Sequence, residues 1–381
     1  ITVPRTYKTV IRLVNLGSLA TVFIGETLDL ESFRMPGHSI RMSGKVEPKE
    51  IDITDEEAAL YDRQIRLWGI NAQKKLRKSQ VLVSGLGGLG AEVAKNIILA
   101  GVKSVTLLDD KEANAENCSN QFLIPKGSYG TNRAVASVER ASILNPMVDV
   151  QADSESLTNK TSKFYKNFDL VILTDSPESE INQVNSICKD LGVKFLSSSC
   201  WGLTGYLFLD LQEHEYLFEI QTKLDNLEPT AKKPKNEIDE SSKYTKRITE
   251  FVPFCETLKI DWTTERFTKR VKRISPMFFV MQVMMRFLKK YKRQPTSSKE
   301  DYENLLTLRA ELIGDLKIPE DKIPMDILSI VHGECNPVCA IIGGIAAQEI
   351  IKALSHQDEP INNYFFFEAL SNHGIVEYLG Y

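Results

Sequence analysis

The 381-residue sequence predicts an α/β fold, with a mainly parallel sheet that is interrupted by a mostly helical insertion. A short apolar strand at 81–84 runs into a glycine-rich turn and then an apolar helix, which is the order of a dinucleotide-binding βαβ unit. Further apolar stretches typical of strands lie at 169–174 and 193–198, with a helical pattern between them. Two long helical patterns then precede a last apolar helix and two strands, so one α/β domain is interrupted and later completed.

The overall composition argues against several classes of protein. The 47 basic and 51 acidic residues give a net charge of −4, which argues against nucleic acid as the main partner because binding its backbone needs clustered positive charge. No stretch reaches the ~18 uncharged apolar residues of a membrane-spanning helix. Six cysteines without a CxxC pair favour a reducing compartment and lack the usual zinc spacing. The five histidines are scattered without ligand or dyad spacing, so we expect no metal site in this chain.

Residues 1–41 are predicted to be a non-native or disordered leader. Their periodicity is weak, and Met42 precedes a short polar stretch and then a clear helix start. A mitochondrial transit peptide is the alternative, since basic residues space apolar ones in this segment. Glu26, Asp29 and Glu31 argue against it, because transit peptides are poor in acidic residues.

A capping box predicts the first helix of the domain, since Thr54 stands at the cap and Glu57 follows three residues later. The side chains on the packing face of this helix are Ala58, Tyr61, Ile65 and Trp68. Arg63 lies about 200° around the helix from Tyr61 and therefore points away from that face. Two interpretations remain open: a solvated basic face, or a docked helix that presents an arginine to a partner.

The glycine-rich turn from Gly85 to Gly90 is suited to hold an anion. In such a motif the first glycine, Gly85, allows a tight turn and the second, Gly87, lets the backbone approach a phosphate. The third, Gly90, permits close packing of the helix, whose N-terminal N–H groups point at the anion. Asp109 ends the second strand and can accept hydrogen bonds from the ribose of NAD, FAD or ATP alike.

Polar residues after the second strand narrow the choice of nucleotide. Asp175 follows another strand and can bind Mg²⁺, and the amides of Asn117 and Gln121 and the basic side chain of Arg133 come between Asp109 and Asp175. Together with the glycines, this set would hold a triphosphate and its metal. The predicted nucleotide-binding residues are Gly85, Gly87, Gly90, Asp109, Asn117, Gln121, Arg133 and Asp175.

A flexible basic insert is predicted at 223–247, which carries many Lys and Arg residues and few bulky apolar ones. Just before it, 205–211 and 216–220 are predicted to form a hairpin that leaves the sheet. Helical patterns follow at 277–291 and 299–316. The predicted domains are the leader (1–41), the N-terminal part of the nucleotide-binding domain (42–222), the linker with the helical insertion (223–325) and the C-terminal completion of the domain (326–381).

Several motifs resemble the activating enzymes of ubiquitin-like proteins and their bacterial adenylating relatives, whose fold is Rossmann-like and of the ThiF type. The motifs are Tyr61-Asp-Arg-Gln-Ile-Arg-Leu-Trp-Gly69, the glycine loop, Gln121-Phe122 and Asn145-Pro146. The resemblance covers nearly everything after residue 54. Further stretches at 98–103, 144–149, 364–367 and 374–377 are more similar to the small, non-thioester subunits of the SUMO-activating branch.

The resemblance implies a heterodimer with a large catalytic subunit, acting in the nucleus and secondarily in the cytoplasm. The large subunit would bind ATP and Mg²⁺, adenylate the C-terminus of SUMO and then take SUMO onto its own cysteine as a thioester. The small subunit would supply structure and one arginine in trans to the partner's ATP site, and that arginine would be Arg63. Such an arginine stabilises the charge that grows as pyrophosphate leaves. The chain alone is expected to be inactive.

The sequence departs from active adenylating subunits at two positions. Asn120 stands where they carry an arginine, and Arg133 stands where they carry a lysine, whose point charge an arginine does not reproduce. Cys255 is the nearest candidate for a thioester-forming residue, but no basic residue flanks it closely enough to lower its pKa. We therefore expect a degenerate pocket that is not used for adenylation, whether it binds nucleotide weakly or is only an inherited element of the fold.

Three other functions are consistent with some of these sequence motifs. A homodimeric adenylating enzyme for a sulfur-carrier or other ubiquitin-like protein would need a complete ATP site, and Asn120 argues against one. An NAD-dependent dehydrogenase shares the glycine turn and the acidic residue, but the sequence shows no His/Asp set for hydride transfer. A scaffold without a role in chemistry would tolerate the loss of Arg63.

Overall fold

The computed structural model describes residues 10–12, 53–219 and 244–380, with the backbone alone at 10–12, 116–118, 219 and 244. The strands in these ranges are β1 Val10–Arg12, β2 Gln80–Ser84, β3 Ser104–Leu108, β4 Asp149–Asp153, β5 Leu170–Thr174, β6 Lys194–Trp201, β7 Thr204–Asp210, β8 Glu213–Glu219, β9 Tyr244–Glu250, β10 Tyr364–Glu368 and β11 His373–Glu377. The helices are α1 Asp55–Leu60, α2 Asp62–Trp68, α3 Ile70–Leu76, α4 Gly88–Leu99, α5 Ala115–Asn120, α6 Arg133–Leu144, α7 Ser162–Tyr165, α8 Glu178–Leu191, α9 Phe254–Leu258, α10 Glu265–Val271, α11 Pro276–Tyr291, α12 Lys299–Leu316 and α13 Asn336–Ser355.

Nine of the described strands form one sheet, in the order β1-β11-β10-β7-β6-β5-β2-β3-β4. The strands from β6 to β4 pair in parallel, and the antiparallel strands β7, β10, β11 and β1 extend this block. The chain builds outward from β2 through β3 and β4, then returns to the other side of β2 to form β5 and β6. The carboxyl ends of β2 and β5 therefore flank the switch point at which sheets of this type bind ligands. The predicted α/β fold with a parallel core is confirmed.

Helices cover both faces of the sheet and form two apolar cores. Strand β10 shows the alternation, since Tyr364 and Phe366 face one core while Phe365 and Phe367 face the other. The first core is shared with α8 and with helices α9 to α12 of the predicted insertion, and the second holds α3, α4, α6 and α13. The helical insertion therefore packs directly on the sheet and covers one of its faces.

Three short helices replace the single helix predicted after Thr54. The capping box is present, because the Glu57 N–H donates to Thr54 Oγ1 at 3.3 Å and the Thr54 N–H donates to Glu57 Oε2 at 3.0 Å. The helix then breaks at Tyr61 and again at Gly69, whose φ of 85° favours glycine. Apolar periodicity predicts the packing face of this segment but carries little information on such breaks.

The predicted hairpin of 205–211 and 216–220 is wrong. Strand β7 stays in the main sheet between β6 and β10, and β8 pairs with β9 in a separate two-stranded ribbon. The side chains of β7 are buried along its whole length, as in a central strand, whereas β8 alternates exposed glutamates with buried rings. The side chains on both faces of β7 are mainly apolar and buried, which favours a central position in the main sheet. Only one face of β8 is covered, so β8 can pair in a separate ribbon.

The predicted basic insert and the predicted leader are described only in part. Residues 244–247 of the insert belong to β9, and the rest of it lies outside the described residues. In the leader, Val10–Arg12 pairs antiparallel with β11 at the edge of the sheet. The remainder of 1–41 is outside the described residues, so the leader and the domain division stay predictions.

Helix α13 is long and apolar enough to cross a membrane by length and composition alone. In this structure it lies in the second core, where Ile342, Ala346 and Ile350 are completely buried. We interpret it as the core helix that the sequence predicts for this stretch.

Candidate functional site

The glycine loop joins β2 to α4 at the switch point of the sheet. Gly85 has a φ of 92°, and a Cβ at this position would collide with the backbone of Thr174 at the end of β5. A Cβ at Gly90 would collide with the backbone of Gly85. The tight turn and the close packing of α4 are therefore requirements of the fold itself, with or without a ligand.

A carboxylate lies over the second glycine of the loop. Glu334, which comes just before α13, accepts a hydrogen bond through Oε1 from the N–H of Leu89 in the first turn of α4, at 3.3 Å. A Cβ built on Gly87 would lie 2.9 Å from the same oxygen. The close approach that the nucleotide motif reserves for a phosphate is made here by the chain's own side chain. The sequence did not indicate Glu334. The loop before α13 that carries it is far from the glycines in sequence and approaches them only in the folded chain.

Asp175 follows β5 and lies beside Glu334. A Cβ built on Gly87 would lie 3.4 Å from its Oδ2, and its backbone has a φ of 52°. Burial, followed by the charge of Glu334, raises the pKa of Asp175 to about 7. Its Oδ1 is buried and has no hydrogen-bond partner within the described part of the chain. The carboxylate of Glu334, placed at an anion-binding position, disfavours a polyphosphate.

Asp109 and Arg133, both predicted to bind nucleotide, bind each other in a buried ion pair. Arg133 Nη2 donates to Asp109 Oδ2 at 2.5 Å. Asp109 also accepts hydrogen bonds from the N–H of Leu86 at 2.6 Å and from that of Lys111 at 2.9 Å. The carboxylate thus ties the glycine loop to the start of α6.

Gln121 is likewise engaged within the protein. Its Nε2 donates to Ser137 Oγ at 2.9 Å, and its Oε1 accepts from the N–H of Ile124 at 2.7 Å. The backbone of Asn117 belongs to α5, and its side chain lies outside the description. The structure therefore brings the predicted pocket residues to one place, where the polar atoms of Asp109, Arg133 and Gln121 mainly hold the fold together.

Three amide side chains bind the C-terminal end of α4 and help to fix the arginine-bearing segment, by which we mean α1 to α3 with Arg63 in α2. The last carbonyls of a helix lack partners within that helix, so donors from elsewhere satisfy them. The bonds run from Asn145 to the carbonyl of Ile98 at 2.9 Å, from Gln64 to that of Leu99 at 3.0 Å and from Gln73 to that of Ala100 at 2.9 Å.

Tyr61, between α1 and α2, anchors the same segment. Its side chain is buried, and its hydroxyl accepts a hydrogen bond from Asn145 Nδ2 at 2.8 Å. Its ring lies so close to Gly101 that a Cβ there would come within 2.5 Å of the ring. Three residues of separate sequence motifs, Tyr61, Gly101 and Asn145, thus meet at one point and hold α2 in a fixed orientation.

Arg63 is exposed on the outer side of α2, as its helical position predicts. Within the described residues no acidic side chain pairs with it, whereas Arg66 pairs with Asp62 at 3.0 Å. Leu67, which follows four residues after Arg63 on the same side of the helix, is 76% exposed. An arginine beside an exposed apolar side chain is typical of protein interfaces.

Exposed apolar side chains extend around this point. We call them the apolar face: Leu60, Leu67, Ile70, Ile143 and Met147. The first three lie on or beside α2, and the last two flank Asn145, which is bonded to Tyr61. The members of the apolar face are therefore exposed side chains on the segments that meet at the Tyr61–Asn145 contact, and exposed apolar side chains gathered in one region mark an interaction site.

A histidine pair that the sequence did not predict lies where the β8–β9 ribbon meets α13. His214 and His356 stack with their ring centroids 4.9 Å apart, and His214 is buried. Burial, followed by the charges of His356, Lys194 and Lys75, lowers the pKa of His214 to about 3. The two residues are remote in sequence, so spacing alone could not reveal the pair.

Neither a metal cluster nor an activated thiol stands out in the described part of the chain. No group of three or more His, Cys, Asp or Glu side chains there could hold a metal ion. Cys255 is half-buried, and Cys200 and Cys339 are buried, with burial as the main cause that raises the pKa of Cys200. A thiol with a raised pKa is a poor nucleophile.

Comparison with known proteins gives a consistent result. The sequence model of the ThiF family matches residues 61–379. The chain is 45% identical to a Xenopus tropicalis protein named SUMO-activating enzyme subunit 1, over 88% of this chain and 99% of the relative. It is also 45% identical to the human protein of that name, over 86% of this chain and 96% of the relative. A zebrafish protein with the same name is 43% identical over 88% of this chain.

Proposed function

The chain belongs to the ThiF family, and we propose that it is the small, non-thioester subunit of a heterodimeric SUMO-activating enzyme. The observation that carries this proposal is the 45% identity to relatives of that name, which extends over nearly the whole of each relative. The enzyme acts in the nucleus, and secondarily in the cytoplasm. Its large subunit binds ATP and Mg²⁺, adenylates SUMO and takes it as a thioester.

This chain's own pocket does not serve adenylation. Asp109 and Arg133 are engaged with each other, and the carboxylate of Glu334 lies where a phosphate would approach the glycine loop. These groups do not fit a nucleotide triphosphate, since like charges placed together are costly. Asn120, which replaces the expected arginine, supports the same conclusion.

The contribution to chemistry is Arg63, presented in trans to the partner's ATP site. Its helix is fixed by Tyr61 and by amide bonds to the end of α4, so the guanidinium extends from a rigid base. A preorganised cation of this kind stabilises the charge that develops on the phosphates as pyrophosphate leaves, without reorganisation during the reaction. The apolar face around Arg63 is the surface that the large subunit covers.

ATP–pyrophosphate exchange in the presence of SUMO tests the proposed function. Three samples are compared: this chain alone, the large subunit alone, and the two mixed. We expect exchange in the mixture only. The main alternative is a homodimeric adenylating enzyme for a sulfur-carrier or other ubiquitin-like protein, which would exchange alone and lose activity in Asp175→Asn. Robust exchange by the isolated chain that depends on Asp175 contradicts our proposal and supports that alternative.

A further inference from the structure

The loop that carries Glu334 crosses the carboxyl ends of the parallel strands. Its backbone is fixed to the end of β6, because the Gly202 N–H donates to the carbonyl of Gly333 at 2.8 Å and the Leu203 N–H donates to that of Ile330 at 3.1 Å. Gly202 has no room for a side chain, since a Cβ there would collide with the carbonyl of Ile330. The position of Glu334 over the switch point is therefore set by a backbone that is hydrogen-bonded to the end of β6.

The side chain of Glu334 makes the contacts that a bound anion makes in this motif. Its carboxylate accepts from the Leu89 N–H at the start of α4 and would lie 2.9 Å from a Cβ on Gly87 and 3.1 Å from one on Gly88. Helix N-termini bind anions because their N–H groups are free and the helix dipole is positive there. The glycines that make room for a phosphate elsewhere make room for this carboxylate here.

We infer that Glu334 occupies the phosphate position of the chain's own glycine loop and is the residue that excludes nucleotide phosphates from it. This inference concerns the pocket of this chain alone and holds whichever partner the chain binds. Arg133, the basic residue predicted for the phosphates, donates to Asp109 instead. The glycine loop thus has the backbone of a nucleotide site, but the chain's own Glu334 carboxylate occupies its anion position.

Binding of ATP to the isolated full-length chain, measured by calorimetry without magnesium, tests this role. Glu334→Ala removes both the charge and the volume, and we expect a Kd for ATP roughly tenfold or more below the wild-type value, since a juxtaposed like charge is costly. Glu334→Gln removes the charge alone and should give a smaller gain. Adenosine, which carries no phosphate, should bind Glu334→Ala and the wild type equally.

Glu92→Gln is the matched control, because it removes the same charge from α4 one turn beyond the loop, where Glu92 pairs with Lys95. We expect no gain in ATP affinity from it. Equal affinities of the wild type and Glu334→Ala for ATP, whether measurable or below detection in both, overturn the inference. So does a gain of equal size for adenosine or in Glu92→Gln.

Circular dichroism and thermal melting check that the variants fold. If Glu334→Ala is unfolded, the Glu334→Gln variant decides, and the absence of any gain in that variant is then the contradicting result. The outcome is independent of SUMO adenylation, which is measured with the large subunit present. A failed pyrophosphate exchange therefore leaves this test intact, and a failed binding test leaves the proposed function intact.

Discussion

Arg63 owes its position to contacts that other side chains make. Tyr61 is buried against Gly101 and bonded to Asn145, and Gln64 binds the end of α4, so α2 cannot rotate without breaking buried hydrogen bonds. Arg63 itself remains exposed, and no described acidic residue pairs with it. At the scale of single residues, Tyr61, Asn145 and Gln64 hold the helix in place, and Arg63 is the side chain that the helix exposes.

Replacing Arg63 by alanine should leave folding and heterodimer assembly intact, since the residue lies off the packed face. Adenylation of SUMO should slow by about 10²–10³, the typical loss for one preorganised charge-stabilising group. Arg63→Lys should restore little, because a flexible point charge does not reproduce the planar guanidinium. Single-turnover formation of the adenylate measures the effect.

Arg66→Ala is the control for Arg63→Ala, since it removes an exposed arginine from the same helix that pairs only locally with Asp62. It should change adenylation little. Transfer of SUMO from a large subunit that already carries the thioester should be unaffected by Arg63→Ala. A loss of equal size in both half-reactions, or in neither, contradicts the role in trans.

His214 should make the stability of the chain depend on pH. Its folded pKa of about 3 lies below the ordinary value of 6.5, so between these values the unfolded state binds more protons. The stability that the neutral ring contributes is complete above pH 6.5 and is lost as the pH falls toward 3. At pH 5.5 the loss relative to neutral pH reaches up to about 1.4 kcal/mol.

Urea unfolding of the wild type and of His214→Phe at pH 7.5 and pH 5.5 measures this effect. The phenylalanine ring keeps the stacking on His356 but cannot take up a proton, so the variant should lose less stability between the two pH values. His356, whose pKa burial also lowers, remains in both proteins and contributes to the residual dependence. Identical pH dependence in both proteins shows that His214 is not the titrating group.

At the scale of elements, the C-terminal end of α4 is the junction on which the arginine-bearing segment depends. Side chains from α2, from α3 and from the end of α6 donate to its last carbonyls, in addition to the backbone N–H groups that follow the helix. An ion pair between the half-buried Arg77 and the buried Glu57, at 2.6 Å, joins the start of α1 to the end of α3. Local helix propensity contributes little here, because helices this short are marginal without tertiary contacts.

Asn145→Ala should weaken this junction without touching Arg63. It removes the donor to the buried Tyr61 hydroxyl and one of the donors to the carbonyl of Ile98, which keeps the Gly101 N–H at 3.0 Å. A buried acceptor left without a partner costs about 1–3 kcal/mol. We expect a lower free energy of unfolding and slower SUMO adenylation by the heterodimer. Asn167→Ala, at an exposed position, is the control and should change neither. Normal adenylation by Asn145→Ala in a heterodimer that assembles fully argues against the anchoring role.

At the scale of the whole molecule, the sheet is covered on both faces and the chain still exposes an apolar face around α2 and α6. Obligate subunit interfaces are apolar and bury about 2,000 Å² or more in total. The large subunit is the partner that our proposed function assigns to this surface. The isolated chain is then expected to self-associate through the same side chains.

Leu67→Asp combined with Ile143→Asp should make the isolated chain more monomeric and weaken its binding to the large subunit. Both side chains are more than 70% exposed, so the substitutions should not affect folding. Size-exclusion chromatography with light scattering measures the oligomeric state, and co-elution measures assembly. Lys163→Asp, at an exposed position in α7, is the charge control. Full assembly with the double variant places the interface elsewhere.

The sequence by itself determined the features whose signals lie within a few residues of one another. The capping box at Thr54, the glycine turn after β2 and the outward position of Arg63 could all be predicted, because cap chemistry, glycine geometry and helical period are local. Short apolar runs likewise predict the parallel strands β2, β3, β5 and β6, which are buried along most of their length. The hairpin prediction failed because local pattern does not determine which strand pairs with which.

Only the tertiary structure decided what the predicted pocket residues contact. The pairing of Asp109 with Arg133, the stacking of His214 on His356 and the approach of Glu334 to Gly87 each join residues from distant parts of the chain. A glycine motif shows that an anion fits a helix N-terminus, but not whether that anion is a phosphate or the protein's own carboxylate. That choice depends on where the chain returns after the insertion, and packing on the sheet, not local sequence, sets that path.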